Sequence, residues 1–75
     1  MREMVEYIAK ALAAAPDAVK VTEETRGNRV IITLHVDEAD KGKVIGRGGR
    51  VAESIRALLR VAAVKNQIRV VLEID

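Results

Sequence analysis

Three glycines fall within four positions, at Gly46-Arg47-Gly48-Gly49, and the chain reads as helix on both sides of them. Each glycine inside a helix is about 1 kcal/mol less favourable than alanine, so no helix runs comfortably through such a cluster. The chain must turn there. With no Cβ, its backbone can turn sharply and another molecule can approach it closely. The chain is 75 residues long. That is one small domain with a thin core, burying only about 60–65% of its unfolded surface.

The rest of the chain has to build that core around the glycine turn. Met4, Val5, Ile8, Leu12 and Ala15 recur at helical spacing and predict an amphipathic helix over residues 2–15, with Tyr7, Ala11 and Ala14 as a flatter second stripe. Pro16 stops it, because the residue before proline avoids the α region. Residues 19–25 are short and rich in β-branched side chains, which predicts a strand. Arg26-Gly27-Asn28 reads as a turn. Residues 29–36 give the clearest strand: Val30, Ile32, Leu34 and Val36 face one way, and Ile31, Thr33 and His35 the other. The two strands make a hairpin.

Asp37 is placed to cap a short helix that carries Glu38 and Asp40 in its first turn. A longer helix follows over residues 50–64, with Ala52, Ile55, Leu59, Ala62 and Ala63 on its apolar face. Val51, Leu58, Val61 and Val64 widen that face beyond what a thin core needs. Glu53, Arg56 and Arg60 stack on the polar side. Lys65-Asn66-Gln67 ends the helix, with Asn66 as the expected left-handed residue. Ile68, Val70, Leu72 and Ile74 then alternate with Arg69, Val71 and Glu73 in a last strand. The order is α-β-β-α-α-β, an α+β fold. Its compact form is a three-stranded sheet with the helices on one face. The helical crossover lets the second and last strands lie parallel.

Composition narrows the chemistry. Cysteine is absent, which removes disulfides, thiolate zinc sites, iron–sulfur clusters and cysteine nucleophiles together. A single histidine, His35, leaves a protein-only metal site without a second ligand, and no cofactor is implied. Ser54 has no paired histidine, and Glu23-Glu24 and Asp37-Glu38 read as solvated ends of elements. No apolar run approaches the ~18 residues of a membrane span, and Met1 opens an amphipathic segment, so the expectation is a soluble cytoplasmic protein that avoids membranes.

Charge is unevenly placed. Residues 1–40 hold five basic and eight acidic side chains; residues 41–75 hold eight basic and three acidic ones. The second half is therefore suited to an anionic partner. The glycine turn lies inside that half, at the start of the 50–64 helix, where free N–H groups and the helix dipole favour an anion. Arg47 and Arg50 add full charge beside it. A phosphate is one natural guest; a packing corner that merely needs small residues is the other reading of the same glycines. The pattern is not a P-loop, because Val44 follows Gly42-Lys43 where Ser or Thr belongs. Nor is it a dinucleotide fingerprint, because Val51 stands where the third glycine belongs.

The run Val44-Ile45-Gly46-Arg47-Gly48-Gly49 closely resembles the VIGxxG signature of KH domains, whose GXXG loop clamps about four nucleotides of single-stranded RNA. Ala52 and Ile55 follow at the family's offsets, although a larger aliphatic more often stands at the Ala52 position. The element order resembles the type II, prokaryotic arrangement. Asp40-Lys41-Gly42-Lys43 before the motif and Arg50 to Arg56 after it resemble the small bacterial KhpA family, over essentially the whole of residues 1–75 as a single KH domain. The resemblance implies a non-catalytic RNA-binding protein. Gly46 and Gly49 would let the RNA backbone approach, with Arg47 and Gly48 as the variable pair. Val44, Ile45 and Ala52 would line an apolar groove, with Arg69 and Val70 as its other wall. Lys41, Lys43 and Arg50 would add phosphate attraction. It also implies a homodimer, or a heterodimer with another KH-containing protein. With Tyr7 as the only aromatic, base stacking of the kind seen in RRM domains is not expected.

Overall fold

Val30, Ile32 and Leu34 decide the centre of the molecule. They alternate along one strand, all three are buried, and they point at the same layer of helices. The computed structural model describes all residues, Met1–Asp75, in the order α1 (Arg2–Leu12), β1 (Lys20–Arg26), β2 (Arg29–His35), α2 (Lys41–Ile45), α3 (Arg50–Lys65) and β3 (Arg69–Ile74). Single turns of 3₁₀ helix stand at Pro16–Ala18, Glu38–Asp40 and Arg47–Gly49. This is the expected α-β-β-α-α-β fold of a type II KH domain. The sheet order is β1-β2-β3. β1 pairs antiparallel with β2, and β2 pairs parallel with β3, from Arg29 beside Arg69 to Leu34 beside Ile74.

The helices cover one face of this sheet. Val5 and Ala9 of α1, Val44 of α2, Ile55 and Leu59 of α3 and Leu72 of β3 close over the central strand. The other face carries no helix: Arg29, Ile31, Thr33 and His35 line it in the middle, beside Arg69, Val71 and Glu73. At its far end His35 Nδ1 lies 2.8 Å from Asp75 Oδ2, so the histidine does find a charged neighbour, at the sheet's exposed end.

Three departures from the sequence expectation have a clear physical reason. α1 stops at Leu12 rather than Ala15: Ala13 is already extended, and the N–H groups of Ala14 and Ala15 are taken by the Asp40 carboxylate, 26 and 25 residues away. The hairpin loop is only Gly27-Asn28, because Arg26 pairs directly with Arg29. At the end of α3 the left-handed residue is Gln67 (φ 55°), not Asn66 (φ −102°). Asn66 stays in the helical turn because its Nδ2 donates to the Ala62 carbonyl at 2.9 Å. The Gln67 N–H then bonds to Val64 and the Ile68 N–H to Ala63, which is a Schellman ending.

That ending has a measurable consequence. Gln67→Gly should raise stability by about 0.5–1 kcal/mol, because glycine adopts this φ without Cβ strain. Asn66→Gly should lower it, since its φ is ordinary and a side-chain bond is lost. Urea unfolding of the two variants checks this; a gain for Asn66→Gly would reverse the assignment.

Candidate nucleic-acid interface

α2 is a single turn and a half. Its one inward position, Val44, is wholly buried in the core. The next residue, Ile45, is exposed to 39% and marks where the chain leaves the core. Gly46 follows with φ 79° and ψ 169°, a conformation open essentially to glycine alone. A Cβ there would sit 2.5 Å from Val51 Cγ2 and 2.8 Å from the Val51 nitrogen, so the loop folds back tightly onto the first turn of α3. Gly48 and Gly49 are both left-handed, at φ 65° and 77°. They face open space: a Cβ on either would meet nothing within 4 Å.

The glycines differ in role as a result. Gly46 anchors the loop to α3, while Gly48 and Gly49 bend it outward. Arg47 is carried on the outward turn, and Arg50 begins α3. Both are exposed and neither takes part in an ion pair. No side chain caps α3. The positive end of a four-turn helix, two free guanidinium groups and an exposed loop backbone thus meet at one point.

The two lysines of α2 are differently placed. Lys41 Nζ lies 3.0 Å from Glu38 Oε2, and Lys43 Nζ lies 3.5 Å from Asp40 Oδ1. Their charge is shared with carboxylates, where that of Arg47 and Arg50 is not.

Asp40 is the residue that sequence reasoning placed least well. Read as an ordinary first-turn acid, it is instead 2% exposed, the only charged side chain in the buried set. The Ala15 N–H donates to Oδ2 at 3.0 Å and the Ala14 N–H to Oδ1 at 3.1 Å. These two bonds, the one from Ala15 first, hold the carboxyl below its usual range against the opposing effect of burial, with help from Lys43. The carboxylate ties the end of α1 to the root of α2, and so to the loop. A folded value below the unfolded one means stability that is complete above about pH 4 and is lost as pH falls through the folded value. Asp40→Asn should therefore be less stable than the parent at pH 7, since its amide nitrogen would face a backbone N–H. The gap between the two should close in acid. Thermal melts from pH 7 down to about pH 2 check this; a gap that stayed constant would remove the carboxylate from the account.

Of the residues expected to line an apolar groove, Val44 and Ala52 are buried, support the loop from beneath and border neither surface hollow. The open groove runs between α3 and β3, lined by Arg56, Leu59, Arg60, Val70, Val71 and Leu72. It adjoins a wider hollow of about 410 Å³ formed by Arg29, Arg60, Ala63, Val64, Ile68, Arg69, Val70 and Val71. Arg69 and Val70 are thus groove residues, but at the end away from the loop. Ala63, beside them, is 13 residues along α3 from Arg50, about 20 Å at 1.5 Å per residue. Arg56 and Arg60, which the sequence presents only as a polar stack, are groove-wall residues. Arg56 Nη1 donates to Glu53 Oε1 at 3.2 Å and Nη2 to the Leu72 carbonyl at 3.4 Å, which fixes the guanidinium against the β3 edge.

Comparison with known proteins is decisive here. The family model described as KhpA/KhpB, KH domain, matches residues 2–74. The chain belongs to the KhpA/KhpB KH-domain family. It is 47% identical over 74 residues to the RNA-binding protein KhpA of Clostridium acetobutylicum, covering 99% of each chain. It is 50% identical to that of Caldanaerobacter subterraneus subsp. tengcongensis with the same coverage, and 45% identical to that of Aquifex aeolicus over 94% of its length. No solved structure matches the chain. The matched span includes the 44–49 loop, α3 and β3. α3 also carries an exposed apolar stripe: Leu58 is 51% exposed, Val61 61% and Val64 77%, at intervals of three. The excess width of this helix face, legible in the sequence, is real surface. No helix of the chain is long and apolar enough to cross a membrane.

Proposed function

We propose that this protein binds single-stranded RNA without catalysis, through the Gly46–Gly49 loop and the groove between α3 and β3. The observation that carries the reading is the uncapped start of α3 with two unpaired arginines around an outward loop of left-handed glycines. A phosphate approaching Gly48 meets no Cβ, and Arg47 and Arg50 supply charge-assisted hydrogen bonds. Lys41 and Lys43 lie behind them and reinforce the field. Bases then lie along Ile45 and the α3–β3 groove, past Arg56 and Leu59 to Val70 and Arg69. Val44 and Ala52 act from below by holding the loop in place. Other titratable groups do not converge on the loop: the Ser54 hydroxyl donates to the Arg50 carbonyl of its own helix, and His35 pairs with Asp75. The named relatives are RNA-binding proteins, which supports the same class of ligand.

A salt titration tests the electrostatic core of this reading. Each phosphate contacted should add about −0.7 to the slope of log K against log salt for single-stranded RNA. Duplex RNA should bind more weakly, because its bases cannot enter the groove. A flat salt slope would sink the phosphate-clamp mechanism.

The setting that fits is the bacterial cytoplasm and RNA metabolism, including post-transcriptional regulation. The Leu58–Val61–Val64 stripe favours association as a homodimer or with another KH-containing protein. It also favours a second reading, in which the chain serves mainly as an interaction subunit of a ribonucleoprotein complex and the glycine loop is architectural. Sedimentation at micromolar concentration decides the homodimer, which a monomer there would exclude; a Leu58→Glu variant should be monomeric.

A further inference from the structure

Arg26, Arg29 and Arg69 stand side by side across all three strands. Arg26 pairs with Arg29 in the β1–β2 register and Arg29 with Arg69 in the β2–β3 register, so all three share the helix-free face at the hairpin end. All are exposed. Like charges directly opposite one another in a sheet are destabilising, and the chain offsets only one of them: Arg26 Nε lies 2.8 Å from Glu24 Oε1, while Arg29 and Arg69 have no carboxylate partner. At its other end the same face is mixed in charge: Lys20 stands opposite His35, and Glu73 and Asp75 stand beside Thr33 and His35. Net positive charge is confined to the hairpin end, and a polyanion is directed there. That end also adjoins the hollow in which Arg29 and Arg69 meet Arg60 of α3.

We propose that this arginine row is a second phosphate-contact surface, holding single-stranded RNA beyond the nucleotides gripped at the glycine loop. The proposal rests on the reading that the loop and groove bind RNA. A strand running from the loop along α3 leaves the groove at its Arg69 end, about 20 Å from Arg50 by helix rise. The GXXG loop itself accounts for about four nucleotides. RNA that continues past them turns around the β3 edge and meets Arg69, Arg29 and Arg26 in succession, with no acidic side chain beyond Glu24 in the way.

The test compares unstructured single-stranded RNAs of about six and about sixteen nucleotides, binding the full chain across a salt series. It uses Arg26→Ser, the member of the row that borders neither the loop nor the groove nor the adjoining hollow. The variant should bind the short RNA as the parent does. On the long RNA it should lose about threefold in affinity, and the salt slope should shrink by about 0.7, one contact. Arg26→Lys should restore most of that slope, and circular dichroism confirms the fold of each variant. An unchanged slope on the long RNA overturns the proposal. Equal weakening on both lengths overturns it as well, by placing the row on the loop-bound nucleotides. The loop reading fails separately: that happens when Arg47→Asp with Gly48→Asp still binds the short RNA.

Discussion

Gly46→Ala should cost about 3 kcal/mol or more of folding stability, against a total of roughly 4–11 kcal/mol for a chain of this size. Two effects add. The backbone at φ 79°, ψ 169° lies where only glycine is comfortable, a penalty of about 1–3 kcal/mol. The new methyl would also stand 2.5 Å from Val51 Cγ2 and 2.8 Å from the Val51 backbone nitrogen. The side chain of Val51 can rotate; the nitrogen cannot move without unwinding the first turn of α3. Gly48→Ala and Gly49→Ala have the first kind of penalty only, about 1–2 kcal/mol each, because their Cβ atoms would meet nothing. Urea denaturation of the three alanine variants separates these roles. Equal losses at all three positions would show that Gly46 is not the anchor. The expected order assigns the first glycine of the motif to folding and the outer ones to access, so RNA affinity measured on Gly46→Ala reports partly on unfolding.

Where the fold was legible in the sequence, the signal was local. Val30, Ile32 and Leu34 alternate within one strand, and the alternation alone says which face is buried. The glycine cluster must bend wherever it stands, and Leu58, Val61 and Val64 announce more apolar width than one thin core can use. What the sequence hid depends on groups far along the chain. The early end of α1 is set by Asp40, whose carboxylate takes the N–H groups of Ala14 and Ala15 across 26 and 25 residues. Nothing near Asp40 marks it as anything but a helix-start acid. Arg56 reads as one member of a solvated i+3 stack, and it does pair with Glu53, yet it also meets the Leu72 carbonyl of a strand 16 residues later. The hollow between α3 and β3 was hidden for the same reason: Val44 and Ala52 are apolar and flank the motif, and only packing shows that they lie beneath the loop while Val70 and Val71 border an open hollow. Gln67 taking the left-handed position from Asn66 is subtler still, decided by one Nδ2 bond to Ala62.

Changing Arg47 and Gly48 together to Asp should abolish RNA binding while leaving the fold intact. On the stability side three small terms nearly cancel. Arg47 makes no ion pair, so its loss removes no partner. Gly48 sits at φ 65°, ψ 18°, where Asp is among the better tolerated residues but still costs about 1 kcal/mol. Two carboxylates just ahead of α3 interact favourably with the positive end of a helix that has no side-chain cap, each contributing about 0.3–1 kcal/mol. Stability should therefore shift by no more than about 1 kcal/mol. On the binding side nothing cancels. A guanidinium that would meet phosphate becomes a carboxylate, and a second carboxylate takes the open space over Gly48 through which the RNA backbone must approach. Affinity for single-stranded RNA should fall at least a hundredfold, about 3 kcal/mol. Thermal melting beside fluorescence anisotropy reads both sides at once. A folded double variant that binds RNA as tightly as the parent would take the loop out of the interface, leaving the α3–β3 groove and its arginines as the surface to test next.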